Sequence, residues 1–354
     1  MQITKAEVTP VELALKQPVQ MAHLPEIKSV TAVFVRLETR QGQSAWGCTV
    51  THPQLTGDEP QDVLRACYAC AAKAPDLHPT NIEYSLGELA NLVHEAPSAL
   101  CAFDLAFHDL LSLAADMPLY RLLGGYRDRI QTSITVPIAS VQESVEMAEQ
   151  RAANGFRILK IKGGLNAELD VERVKAIRRA FPGLKLRLDA DGGYTVQQAL
   201  DVARALKDAL EMLEQPTSPD DLLGLRQVTE QSPVPVLADQ SACSPSAALN
   251  IAAHHSASGL SVKLASCGGL RGARIVDSIA RAAQLSTMVS CLIEPAMLIA
   301  AGLSLALSSP NVQYGDLDGN LYLADDPSQL GFTLQEGWLI ASQVPGLGYS
   351  VRLG

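Results

Sequence analysis

The chain has 354 residues, 47% hydrophobic and 19% charged, with a formal net charge of −10. That length suits two domains with a sizeable core, and an acidic balance without any Lys/Arg-rich run argues against a polyanion-binding surface. Seven cysteines in a chain too long to need disulfides favour a reducing compartment. The opening MQITKAEVTPVELALKQPV lacks the apolar core of a secretory signal, and no stretch is long enough to span a bilayer. A cytoplasmic, soluble protein with neither nucleic-acid nor membrane partners is expected.

In chain order, AEVTPVEL and SVTAVFVRLETRQGQSAWG have the composition of antiparallel strands, the second pair turning at Gln41-Gly42-Gln43. Helical periodicity follows from about Asp62 to Leu123. Within it, SALCAFDLAFHDLLSLAADM is apolar on all sides and predicts a buried helix ending before Pro118. Cys67 and Cys70 have no second cysteine pair and read as buried thiols. His108 reads as a core histidine, and the adjacent His254 and His255 have a poor geometry for a metal.

From about Arg127 the chain alternates strand and helix. The strand candidates are QTSITVPI, FRILKIK, LKLRLDA, EMLEQ, VPVLAD, GLSVKLA, STMVSC and NVQYGD. Eight such runs with amphipathic helices between them predict an α/β architecture, a closed parallel barrel covered by helices. An open doubly wound sheet is the runner-up, and no Gly-rich phosphate fingerprint supports it. The expected division is 1–125 as an α+β capping domain, 126–318 as the barrel, and 319–354 as a tail returning to the cap.

Charged residues recur at the ends of five consecutive runs: Lys162, Asp189, Glu214, Asp239 and Lys263, spaced 27, 25, 25 and 24 residues apart. Each spacing is one strand plus one helix, so all five belong on the barrel rim where (β/α)8 folds keep their chemistry. A single charge there is ordinarily a solvated loop residue; five in phase describe a cation site with a base on either side. Three carboxylates with no His or Cys among them suit a hard divalent cation such as Mg2+. Lys160 shares a strand face with Lys162 and is expected to lower its pKa.

LKIK, LRLDAD, LEQP, LADQS, VKLASCGG and YGDLDG resemble the enolase superfamily, muconate-lactonizing subgroup, and are most similar to dipeptide epimerases. AFDLAFHDLLSLAADMPLYRLLGG and the closing PGLG extend the resemblance over nearly the whole chain. It implies a modified TIM barrel, (β/α)7β, under an α+β capping domain. It implies catalytic Lys162 and Lys263 with Lys160 beside them, and Mg2+ (Mn2+ in its place) on Asp189, Glu214 and Asp239. The implied reaction is two-base 1,1-proton transfer through an enediolate. Asp316 and Asp318 would hold a substrate α-ammonium, with Thr135, Leu24, Ile293 and Glu294 completing the substrate shell, in an expected homo-oligomer.

Three departures from the family bear on substrate. Gln240 stands where Glu is usual, Asp191-Gly192 where Asn-Gln is common, and the loop from Met21 to Ser29 carries no Arg. Family members acting on Ala-Glu take the Glu side chain with an Arg from this loop; here His23, Leu24 and Lys28 are offered. With apolar Ile293, an apolar or uncharged dipeptide is expected over Ala-Glu. The other readings are a lyase, dehydratase or cycloisomerase on the same barrel, an N-acylamino-acid racemase, a Schiff-base aldolase, and a barrel that binds a metal-carboxylate ligand without turnover.

Overall fold

The computed structural model describes all residues except 23, 24, 52, 94, 95, 330 and 354, and the side chains of 54 and 55. Strands β1 (Ile3–Val19), β2 (Ile27–Thr39) and β3 (Ser44–Thr51) form an antiparallel sheet. Helices α1 (Pro53–Thr56), α2 (Pro60–Lys73), α3 (Ile82–Ala90), α4 (Ser98–Ala114) and α5 (Leu119–Leu122) follow. Both faces of β2 are buried, so its alternation sorts residues between two cores rather than between core and water. Val33, Val35 and Leu37 join Cys67, Cys70 and Phe103 in one core, while Ala32 and Phe34 join the barrel core. Helix α4 is split in the same way: Phe103 and Phe107 face the first core, Cys101 and Leu105 the second. That is why its sequence is apolar all round.

After β4 (Arg129–Gln131) come the eight barrel strands and seven helices. The strands are β5 (Ile134–Val136), β6 (Ile158–Lys162), β7 (Lys185–Asp189), β8 (Met212–Glu214), β9 (Val236–Ala238), β10 (Gly259–Lys263), β11 (Ser286–Ser290) and β12 (Val312–Asp316). The intervening helices are α6 (Val141–Ala153), α7 (Ala167–Ala180), α8 (Val196–Ala205), α9 (Leu222–Gln231), α10 (Pro245–His254), α11 (Leu270–Ala282) and α12 (Ala296–Ser308). Neighbouring strands are consecutive and parallel from β5 to β12. Ser133 N donates to Gly315 O at 3.1 Å and Thr132 bridges to Gly315, bringing the first strand to the last. This is the (β/α)7β barrel with a separate antiparallel sheet over it. The open sheet is excluded.

Asp104 on α4 docks the two parts. Its carboxylate accepts Leu270 N at 2.8 Å and Arg271 N at 3.0 Å, satisfying the first turn of α11. Gly269 precedes that turn at φ +106, where a Cβ would meet Asp104 at 2.5 Å, so only glycine fits.

In the tail, β13 (Ser328–Gln329) pairs with β16 (Ser350–Val351), and β14 (Phe332–Gln335) with β15 (Trp338–Ala341). The β14–β15 hairpin adds to β4 beside the barrel. Residues beyond it reach the first sheet and α4: Leu347 N donates to Asp109 at 2.7 Å, and Tyr349 OH to Trp46 O at 2.7 Å.

Candidate active site

Parallel pairing puts the rim charges side by side. Lys162 is in register with Asp189, Asp189 with Glu214, and Lys263 with Ser290, which is itself in register with Asp316. Asp239 follows the last residue of β9. Ligand oxygens of Asp189, Glu214 and Asp239 all lie within 4.8 Å of one another, and all three residues are buried. Strands β6 and β10, which carry Lys162 and Lys263, are separated by three strands and so stand on opposite walls of the eight-stranded barrel.

Lys160 lies deepest. Its Nζ is 2.7 Å from Asp316 Oδ2, 2.9 Å from Asp189 Oδ2 and 3.0 Å from Glu214 Oε2. The last is an ion pair only, since both Glu214 oxygens are buried without accepting a hydrogen bond. Lys162 Nζ lies 2.8 Å from Asp189 Oδ2 and 2.9 Å from Asp191 Oδ1, and Lys263 pairs with Asp239. Below them Arg187 donates to Gly315 O at 2.9 Å and its guanidinium stands 5.2 Å from the Tyr314 ring. With Met212, Leu237 and Met288 it fills the barrel beneath the site.

The expectation that Lys160 lowers the pKa of Lys162 is not the net result. Burial lowers it and so does Lys160, but Asp189 and Asp191 outweigh both and hold the ammonium above its usual range. The acids are unequal too. Asp189 is held well below the usual carboxylate range, because Lys160 and Lys162 overcome its burial. Burial, then Asp189, push Glu214 up to about 8 against the pull of Lys160. Three clustered carboxylates, one of which, Glu214, has both oxygens buried and accepting no hydrogen bond among the described residues, fit a hard cation, and all the donors are oxygen.

Asp316 and Asp318 end the last strand together but are used differently. Asp316 is occupied by Lys160 and by Ser133 Oγ at 2.5 Å. Asp318 Oδ2 accepts Thr135 N at 2.8 Å and Tyr322 OH at 3.2 Å, while Oδ1 has, among the described residues, only the Cys291 thiol, 3.9 Å away. Lys160, Thr135, Cys291, Asp316, Asp318 and Tyr322 line a cavity of about 550 Å³, walled also by Val19, Met21, Ala22, Pro53 and Ile293. Leu24 and His23 lie outside the described residues.

Glu294 does not line this cavity; its carboxylate turns back to accept Leu292 N at 3.1 Å. Burial pushes it up to about 8. A carboxyl whose folded pKa exceeds its unfolded value of 4.5 binds a proton on folding, so stability falls as pH rises from there toward 8. Thermal melts of Glu294→Gln should therefore show a shallower loss of Tm than the parent between about pH 5 and pH 8. Parallel curves would refute the assignment.

Two positioning residues have no counterpart in the sequence reading. Arg173, fully buried on α7, donates to Lys162 O at 2.7 Å, Pro137 O at 2.6 Å, Asp170 at 3.0 Å and Ser144 at 2.8 Å. It ties the ends of β5 and β6. The Asp170–Arg173 spacing on the buried face of α7 is the signal that could have found it. Gln215, at φ 35, accepts Asp239 N at 2.8 Å and donates to Ser241 Oγ at 2.9 Å, joining the β8 and β9 strand ends.

A capped seven-helix barrel with three clustered carboxylates between lysines on opposite walls defines an enolase-type site. Residues 3–124 match the model described as "Mandelate racemase / muconate lactonizing enzyme, N-terminal domain", and residues 143–353 match "Enolase C-terminal domain-like". The L-Ala-D/L-Glu epimerase of Bacillus subtilis is 31% identical over 98% of this chain and 96% of its own. The L-Lys-D/L-Arg epimerase of Desulforapulum autotrophicum is 34% identical, covering 98% and 99%. The dipeptide epimerase of Enterococcus faecalis V583, solved with Mg and L-Leu-L-Tyr, has a TM-score of 0.95 at 32% identity, covering 99% and 100%. The chain belongs to the muconate-lactonizing subgroup of the enolase superfamily, and is dipeptide-epimerase-like. It is an isomerase of the racemase/epimerase type. No helix among the described residues is long and apolar enough to cross a membrane.

Proposed function

We propose that this enzyme inverts the α-carbon of the C-terminal residue of a dipeptide by 1,1-proton transfer between Lys162 and Lys263, dependent on Mg2+ or Mn2+. The observation that carries the reading is the approach of these lysines to one carboxylate cluster from opposite walls. Asp189, Glu214 and Asp239 would hold the cation, whose charge would stabilise the negative charge that develops on the substrate carboxylate. Whichever lysine has given up its own proton takes the α-hydrogen as a proton while the electron pair of the C–H bond moves onto the carboxylate. The other, as ammonium, returns a proton to the opposite face. Lys160 adds fixed positive charge beside both steps, and Asp318 meets the substrate ammonium.

The cavity walls support an apolar or uncharged dipeptide. Its lysines are all spent on acids, and Asp191 and Asp316 on lysines, leaving no free cation among the lining residues for a Glu side chain. Lys28 is exposed, outside the lining, with Glu26 as its partner at 3.6 Å. Val19, Met21, Ala22 and Ile293 offer apolar surface instead. The relatives named for Ala-Glu and Lys-Arg substrates, and the one bound to Leu-Tyr, are about equally identical, so identity does not choose among them.

The test is a dipeptide library in deuterated water with Mg2+, read by mass spectrometry and chiral separation. Apolar dipeptides such as Ala-Phe should gain one deuterium and epimerise faster than Ala-Glu, and exhaustive chelation should stop both. Full exchange after chelation would remove the cation from the reading. Preference for Ala-Glu would show that the walls have been misread.

A further inference from the structure

Lys162 is held at both ends. Arg173 fixes its carbonyl, and at Nζ Asp189 Oδ2 lies 2.8 Å away and both Asp191 oxygens 2.9 Å away. Asp189 already neutralises the ammonium, yet it is shared with Lys160 at 2.9 Å. Asp191 forms its ion pair with Lys162. The arrangement is costly: a second acid sits next to Asp189, and Asp191 takes a left-handed backbone, φ 45, that disfavours a side chain. Its carboxylate is fixed in turn, because Gln240 Nε2 donates to Oδ1 at 3.1 Å and the Asp191 amide donates to Asp189 Oδ1 at 3.1 Å. Gln240 Oε1 is buried and accepts nothing. Among the described residues, the side-chain amide of Gln240 is therefore oriented by Asp191 alone. Both residues line the cavity.

We propose that Asp191, braced by Gln240, is a positioning residue that aims Lys162 Nζ at the substrate α-carbon, with no equivalent on the Lys263 side among the described residues. The proposal rests on the reading of Lys162 and Lys263 as the two bases. A lysine ammonium rides on a flexible four-carbon stem, and a bidentate acid on one side fixes its direction. Lys263 has one ion-pair partner among the described residues, Asp239. Losing Asp191 should therefore impair one face of the reaction and spare the other. A residue that merely supported the fold would slow both.

The experiment compares Asp191→Ala, Asp191→Asn and the parent, following solvent deuterium into each epimer of one reactive dipeptide. Lys162→Ala identifies the epimer that presents its hydrogen to Lys162. In Asp191→Ala, exchange from that epimer should slow by about 100-fold, the scale of a 1 Å misplacement, with the other epimer changed by less than about threefold. Asp191→Asn keeps an acceptor on Nζ and should recover part of the loss. Equal slowing of both epimers would overturn the proposal. A crystal structure of Asp191→Ala gives a readout independent of substrate: Nζ should leave its present place, and an unmoved Nζ would also overturn it. Should the parent exchange no dipeptide hydrogen, the two-base reading fails by itself, and the position of Nζ in that structure alone decides whether Asp191 aims Lys162.

Discussion

Lys162→Ala and Lys263→Ala should each lower epimerisation by about 10²–10⁴-fold, the usual contribution of a positioned acid or base, while failing in opposite stereochemical senses. On the proposed two-base mechanism each lysine faces one side of the α-carbon, so removing Lys162 should stop deuterium exchange from one epimer and leave the other exchanging through Lys263. The second variant should show the mirror pattern. Lys160→Met serves as the contrast. Its Nζ lies within 3.0 Å of Asp189, Glu214 and Asp316 rather than on one face, so its loss should slow both epimers together. If both alanine variants lose exchange with the same epimer, the two lysines do not act from opposite faces. If both keep all exchange, neither is a base.

The parts of this site that were legible in the sequence are those fixed by barrel periodicity. Parallel pairing sets Lys162, Asp189 and Glu214 in register, so regular spacing along the chain became adjacency on the rim. The eight barrel strands were legible for the same reason. What was hidden depends on long-range contacts that local patterns encode weakly, the Asp170–Arg173 spacing being the one local hint. Arg173 sits on a helix that reads as an ordinary amphipathic surface element, yet its guanidinium reaches two strand-end carbonyls. Gln215 matters through a left-handed backbone and the amide of Asp239, and neither has a sequence signature. Pleat alternation revealed the cationic neighbour of Lys162, which does lower its pKa, but not the converging carboxylates of Asp189 and Asp191 that outweigh it. The sequence also treated Asp316 and Asp318 as equals, which the hydrogen bonds do not.

That inequality gives the sharpest specificity test. Asp316 is occupied by Lys160 and Ser133, whereas Asp318 keeps Oδ1 available beside Cys291 at the cavity wall. Burial and the charge of Asp316 push Asp318 up to about 6, and a substrate ammonium bound there, as proposed, would relieve both penalties at once. N-acetylation removes that ammonium and leaves the buried carboxylate unpaired, a loss of about 2–5 kcal/mol. On the tenfold-per-1.4-kcal/mol scale, kcat/KM for N-acetyl-Ala-Phe should fall roughly 30- to 4000-fold below that for Ala-Phe. Asp318→Asn should cut the rate with the free dipeptide on the same scale and narrow its advantage over the acetylated form. Asp316→Asn instead disturbs Lys160, so it should slow both compounds alike and leave their ratio intact. A parent enzyme that prefers the acetylated dipeptide would move the chain to N-acylamino-acid racemisation. A ratio that collapses in Asp316→Asn but not in Asp318→Asn would reverse the assignment of the two aspartates.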